Sequence, residues 1–359
     1  MSSLKLSPSV SLQEAEDVIC AVGHLNTIHM EGRPGIGKTS MAKKIAERMD
    51  LRLVFIDGPT VDIAEIGLMM PNHETATTSL YHNEHWAFHK CDPILLFIDE
   101  VSKAPRQAQT AMTPMFQERR CGPSYFHERS IVVTTGNYST DGVGDIVLAH
   151  VRNRKTTLDV RGPTSNEWLV NFAQKEVDGK PIIHPIVQAF ASKYPAVFAS
   201  YRDKGEEENP YILNPKYPQR AGTTCRSMHK ASNIIWVKDQ FSDTALRVAL
   251  EGTIGKPAAQ DLMGYILADD DVPDFNDIIK NPEGCPMPKS AAACCILACM
   301  ALQHVTRANM SKWFTFLKRG SKEMQSLFCL SARDHGRAKE ICNTSQEYVD
   351  WLLDNEYLL

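Results

Sequence analysis

Gly32-Arg33-Pro34-Gly35-Ile36-Gly37-Lys38-Thr39 is the stretch on which the reading of this chain turns. Its spacing is glycine, four free positions, glycine, lysine and a hydroxyl residue, which is the complete pattern of a phosphate-binding loop. The glycines permit a tight backbone path that turns several N–H groups toward one anion. Lys38 then reaches the β- and γ-phosphates, and Thr39 offers its hydroxyl to Mg²⁺. A short strand, Thr27–Met30, precedes the loop and a helical segment, Ser40–Met49, follows it. That order places a helix N-terminus at the phosphates. The candidate nucleotide-binding set is therefore Gly32, Arg33, Pro34, Gly35, Ile36, Gly37, Lys38, Thr39 and Ser40, with ATP and Mg²⁺ as the expected ligands.

Three further apolar runs, Leu51–Asp57, Ile94–Asp99 and Ile131–Asn137, are short and rich in Ile, Val, Leu or Phe. Strands buried on both faces read this way, and the helical segments between them predict a parallel α/β sheet. The second run ends in Asp99-Glu100, at the edge where such a sheet meets its ligands. Asp99 is a candidate to hold Mg²⁺ and Glu100 to activate the attacking water. Upstream, Ser11 and Glu14 form the capping box of a helix ending near Val22. Residues 63–93 hold Gly67, Pro71 and several Thr and Asn, and read as an elaborated loop with little regular core. Glu118–Ser130 centres on Gly122-Pro123 and reads as a hairpin.

Beyond residue 160 the pattern becomes helical: Asn166–Lys175, Ile186–Ala199, Thr224–Lys238, Asp243–Glu251 and Ala258–Ala268, then a last helical region over 290–357. The expected domains are 1–160 for nucleotide binding, 161–280 as a helical lid and 281–359 as a helical extension. Within the extension, Trp313–Arg319 offers aromatics beside basic residues, as core packing or as a docking or nucleic-acid surface.

The composition, 43% hydrophobic and 23% charged, excludes fibrous and disordered classes. A net charge of -4 gives no whole-molecule attraction for nucleic acid or anionic lipid, although a local basic channel stays compatible with it. The ten cysteines lack metal-ligand spacing and read as buried structural thiols in a reducing compartment. The N-terminus has no basic segment before an apolar one, and Ala291–Leu302 is too short to span a bilayer. A cytoplasmic protein is expected.

With the loop GRPGIGKT (Walker A) and LLFIDE (Walker B), the chain resembles an AAA+ ATPase, and more narrowly the MoxR-type branch, over about residues 10–280. The resemblance implies a P-loop αβα parallel sheet with a smaller helical lid and ATP hydrolysis to ADP and phosphate. It makes Asn137 the sensor 1 residue that helps place the water. AHVRNRKTTLDV resembles the segment bearing the arginine finger, which selects Arg154, with Arg152 as the rival. CRSMHKAS resembles the lid segment that carries sensor 2, although Cys225 and Met228 replace the usual proline and tryptophan; it selects Arg226, with Arg220 as the alternative. The polar stretch after Asp62 matches the branch's helix-2 insert, and Glu118–Ser130 its hairpin before sensor 1.

What the resemblance implies about function is a homo-oligomeric ring, a hexamer in the family's manner, that remodels a protein partner. MoxR-like proteins often work with a separate chain bearing a von Willebrand A-type domain. A nucleic-acid translocase or helicase loader is the first alternative, and a nucleotide-dependent switch or scaffold the second.

Overall fold

Five strands assemble side by side in the order β2-β5-β8-β1-β9: β1 Ile28–Glu31, β2 Arg52–Asp57, β5 Ile94–Asp99, β8 Ile131–Gly136 and β9 Thr156–Asp159. Every neighbouring pair in this sheet is parallel. The computed structural model describes residues 8–138, 153–217 and 219–358. It divides into two units, Met1–Gly162 and Pro163–Leu359.

Strand alternation explains why β5 is apolar throughout. Ile94, Leu96 and Ile98 enter one core with Ala108, Met112 and Met115 of helix α4 (Arg106–Gln117). Leu95 and Phe97 enter the other, with Ile19 of α1 (Leu12–Val22) and Met41 and Ile45 of α2 (Lys38–Arg48). Both faces of the sheet are thus covered, so neither face shows a polar stripe in the sequence. Helix α1 begins at the Ser11–Glu14 capping box, both of whose hydrogen bonds are formed. At the C-terminus of α4, the Arg119 guanidinium donates to the carbonyls of Gly23, His24 and Ser130 and so fastens α4 to the end of α1.

Residues 63–93 are more regular than the sequence suggests. A one-turn helix α3 (Ile63–Ile66) leads into an antiparallel hairpin, β3 (Leu68–Asn72) with β4 (Thr77–Tyr81). Trp86 and Phe88 then enter the first core. Glu118–Ser130 contains the expected hairpin, β6 (Arg120–Cys121) with β7 (Ser124–Tyr125). The two hairpins are joined: Leu80 covers Gly67 and Gly122, and His82 Nε2 lies 2.8 Å from Ser124 Oγ.

The second unit is helical, with one small hairpin at 176–181. Asn166–Lys175 is broken: Ser165–Trp168 is α-helical, and Leu169–Ala173 widens into a π-turn. Ala291–His304 explains its own composition. Its Ala293, Ile296 and Cys299 join the core of the preceding helices, while Leu297, Ala298, Ala301 and Leu302 join the core of the following ones. A helix buried on both sides is apolar all round. Trp313, Phe314 and Phe316 lie in that second core, so the aromatic segment is packing and not a docking surface.

The cysteines are all free, but they are not uniformly buried. Cys121, Cys285, Cys299, Cys329 and Cys342 are buried, and Cys91 is exposed. Among the described residues, no helix is long and apolar enough to cross a membrane.

Candidate functional site

The carboxyl ends of β1, β5 and β8 lie on one edge of the sheet, and the candidate residues follow from those three ends. After β1 the chain turns through Gly35 (φ 77°) and Gly37 (φ 112°), both in the left-handed region that favours glycine. Gly37 then caps α2. Lys38 is buried, and its ammonium donates to the carbonyl oxygens of Gly32 (2.5 Å), Arg33 (3.2 Å) and Gly136 (3.3 Å) and to Asn137 Oδ1 (3.5 Å). The phosphate loop is therefore tied to the end of β8 through its lysine. Thr39 and Ser40 sit in the first turn of α2.

Asp99 ends β5. Glu100, the next residue, adopts a left-handed conformation (φ 47°, ψ 44°) that turns the chain sharply out of the strand. Such a conformation is costly for a residue with a Cβ and needs outside support. Its carboxylate is held at both oxygens: Oε1 accepts from Asn137 Nδ2 at 2.7 Å and Oε2 from Lys103 Nζ at 2.6 Å. Burial disfavours the ionised carboxyl. The hydrogen bonds from Lys103 and Asn137, with the charges of Lys103 and Lys38, outweigh it and hold the group below its ordinary value. Glu100 is thus an anion under ordinary conditions, in the form needed to orient water.

The structure brings Lys38, Asp99, Glu100 and Asn137 together. It also adds three residues that the sequence reading missed. Lys103 clamps Glu100 from one turn downstream. Thr135 bonds both to Asp99 and to the Glu100 backbone. Gly58, just after β2, approaches so closely that a Cβ there would stand 2.6 Å from the Asp99 carbonyl oxygen and 2.7 Å from that of Glu100. The only signal in the sequence for Lys103 was its spacing from Glu100. Thr135 and Gly58 act across neighbouring strands, and gave none.

Arg154 lies elsewhere in the first unit. It precedes β9, and its Nε donates to Gln117 Oε1 at 2.5 Å, at the end of α4. With Lys155, Asn26 and Gln117 it lines a cavity of about 520 Å³ at this opposite end of the sheet. Arg152 lies outside the described residues. In the second unit, Arg226 is exposed in the first turn of the helix Cys225–Ile235, whose N-cap is Thr224. Arg220 is also exposed and stacks its guanidinium over the Tyr217 ring at 4.5 Å.

A metal would find a hydroxyl at Thr39 and a carboxylate at Asp99, which are hard oxygen donors of the kind Mg²⁺ takes. Among the described residues, no group of three or more His, Cys, Asp and Glu side chains forms a metal cage. Mg²⁺ in nucleotide sites is held by one or two protein oxygens plus the phosphates, so this donor set fits it.

A phosphate loop and an Asp-Glu pair on the same edge of a parallel sheet define an ATPase of the P-loop class. Residues 28–149 match the family described as "ATPase family associated with various cellular activities (AAA)", and an ATPase domain of this kind makes the protein an ATP-hydrolysing enzyme. No curated protein matches it in sequence. Among solved structures, it is similar to a candidate ATPase from Cytophaga hutchinsonii at 16% identity and TM-score 0.34, over 68% of this chain and 82% of that one. It is also similar to the Thermotoga maritima RuvB Holliday junction branch migration motor at 16% identity and TM-score 0.33, over 86% of each chain. A point mutant of the same RuvB gives 17% identity and TM-score 0.33, over 75% of each chain. Likeness at this level says nothing of partner or task.

Proposed function

We propose that the chain is an ATP-driven motor that works in a homo-oligomeric ring, most simply a hexamer, and moves a macromolecular partner. One observation carries the ring. β1 and β9 run parallel with Ile28 opposite Thr156, the phosphate loop leaves the far end of β1, and Arg154 stands just before the near end of β9. Four residues of strand separate the two ends, roughly 13 Å. Arg154, bonded to Gln117, therefore stands at the end of the sheet remote from its own nucleotide loop, which supports its use as a finger donated to the next subunit. Phosphoryl transfer needs such a cation beside the transferring group.

Within one subunit the roles follow from the donors. Backbone N–H groups of the loop and the Lys38 ammonium bind the β- and γ-phosphates. Thr39 and Asp99 would hold Mg²⁺, which when bound would neutralise charge on the phosphates. Glu100, steadied by Asn137, orients the attacking water and accepts its proton. Arg226 is the candidate sensor 2 on the helical unit. Membership of the MoxR-type branch, a protein client and a von Willebrand A-type partner chain rest on the sequence pattern alone. Action on a nucleic acid is the other form of the same motor.

Subunit mixing tests the ring. Arg154→Ala and Lys38→Ala proteins should each be inactive, and an equimolar mixture should regain part of the ATPase, because each supplies what the other's site lacks. An active Arg154→Ala protein, or an inactive mixture of variants shown by sedimentation to co-assemble, would refute the shared site. Stimulation of wild-type turnover by single- or double-stranded nucleic acid identifies that form of the motor; retention of a protein by the Glu100→Gln variant in ATP identifies the other.

A further inference from the structure

We infer that Thr135 is a positioning residue for hydrolysis, and that its one hydroxyl sets both acidic side chains of the site. The inference rests on the reading of Asp99 as the metal-holding carboxylate and Glu100 as the water-orienting one.

Thr135 lies on β8, one position past the Ile98–Thr134 pairing, so it stands beside Asp99 at the carboxyl edge. Its side chain is fully buried. The Oγ1 accepts a hydrogen bond from the Glu100 backbone N–H at 2.9 Å and donates one to Asp99 Oδ1. A hydroxyl carries one donor and two acceptor sites, so it makes both bonds at once. Neither neighbour on the strand can substitute. Thr134 faces His29, with 2.8 Å between Oγ1 and Nδ1, and residue 136 is glycine.

The two bonds do different things. The one to Asp99 fixes the rotation of the carboxylate and leaves its other oxygen for the metal. The one from Glu100 anchors the residue that leaves the strand in a left-handed turn, which the Lys103 N–H closes onto the Glu100 carbonyl at 2.9 Å. Without that anchor, the turn has less to hold its unfavourable backbone angles. Groups that orient a metal's carboxylate in this way are worth about 10–100-fold in metal affinity or activity.

Valine has the shape of threonine without the hydroxyl, and serine keeps the hydroxyl without the methyl. Full-length Thr135→Val, Thr135→Ala and Thr135→Ser proteins are assayed for ATPase across a Mg²⁺ titration, for ATP affinity without turnover, and for thermal melting. We expect Thr135→Val and Thr135→Ala to lose about tenfold or more in kcat and to need about tenfold more Mg²⁺ for half-maximal rate. ATP affinity measured without Mg²⁺ should stay within about threefold, and Thr135→Ser should resemble wild type. A Thr135→Val titration that overlays wild type overturns the inference. So does a Thr135→Ser protein as impaired as Thr135→Val, or a lower melting temperature with an unchanged Mg²⁺ requirement. Asp99→Asn and Glu100→Gln run alongside: if those stay active, the reading of the two carboxylates has failed, whereas if they die and Thr135→Val does not, only the role of Thr135 has.

Discussion

Glu100→Gln is the substitution whose consequences the structure constrains most tightly. The side chain keeps its size and loses its charge, but it does not keep its contacts. Oε1 and Oε2 now accept from Asn137 and Lys103 at 2.7 and 2.6 Å. Glutamine supplies one acceptor and one NH₂ group, so one of those two donors is left facing another donor. The Lys103 pair has side chains 24% and 29% exposed, and a partly solvated pair of this kind contributes about 1 kcal/mol. The expected stability cost is therefore about 1–2 kcal/mol, or a few degrees in melting temperature. The catalytic cost is larger. Removing a positioned base costs about 10²–10⁴ in turnover. ATP affinity should change by less than about threefold, because no hydrogen bond runs from the Glu100 side chain to residues 32–39 among the described contacts.

Lys103→Met separates the two costs. In wild type it removes a cation from Glu100 and should destabilise by about 1 kcal/mol; in the Glu100→Gln background the cation has no carboxylate to pair with, and its loss should cost about nothing. The double-mutant cycle, read by urea denaturation, should thus show a coupling of about 1 kcal/mol, while the double variant stays as inactive as Glu100→Gln. Turnover by Glu100→Gln within about tenfold of wild type would refute the assignment of the base. Recovery of turnover on adding Lys103→Met would show instead that the lost activity came from the misplaced cation.

Three further predictions concern stability. Gly58→Ala should cost about 2–3 kcal/mol or more, because the new Cβ meets backbone oxygens that cannot swing aside. Gly252→Ala, with open space around an exposed helical position, should gain about 0.5–1 kcal/mol in the same melting experiment. In the second unit, burial pushes the His184 imidazole down from 6.5 to about 4, with Asp269 opposing the shift and Lys238 adding to it. Its Nδ1 also accepts from the Ile186 N–H at 3.2 Å to cap the helix Pro185–Lys193, which needs the neutral ring. The unfolded chain takes up that proton first as pH falls, so the contribution is complete above about pH 6.5 and is lost progressively toward about pH 4. Denaturation at about pH 5 should show roughly 2 kcal/mol less from this group than at about pH 7.5. His184→Asn keeps a capping acceptor without the titration and should flatten that difference; an unchanged pH dependence would remove His184 as its source.

What the sequence made legible was whatever is written in consecutive residues. The loop at 32–39 has one chemical use, and β5 is uniformly apolar because both faces of it are covered. The β3–β4 hairpin escaped notice for the opposite reason. All five residues of β3 are exposed, so no burial alternation marks it, and it is held at its edge by Leu80 against Gly67 and Gly122. Thr135 and Gly58 escaped because their partners are on other strands. A threonine in an apolar strand reads as a strand former, and a glycine before proline reads as a turn. Only the register of β8 beside β5, and the approach of the chain after β2, gives either residue a purpose.

These contacts also order the site's side chains into a single chain of bonds. Lys38 donates to Asn137 Oδ1, Asn137 Nδ2 donates to Glu100 Oε1, and Lys103 donates to Glu100 Oε2. The Asn137 amide is thus a two-ended reader, with its oxygen on the proposed phosphate-binding lysine and its nitrogen on the proposed base. An aspartate at 137 would repel Glu100, and a leucine would break both ends, so an amide is the group that serves a cation on one side and an anion on the other. Any movement of Lys38 toward a phosphate acts on the weakest of these bonds, the 3.5 Å one to Asn137. It reaches Glu100 through one rigid side chain. A shift of Lys38 on phosphate binding would thus act on Glu100 through side chains alone, over a bond long enough to leave ATP affinity nearly independent of Glu100, and the burial of both Lys38 and Asn137 keeps water from standing in for either partner.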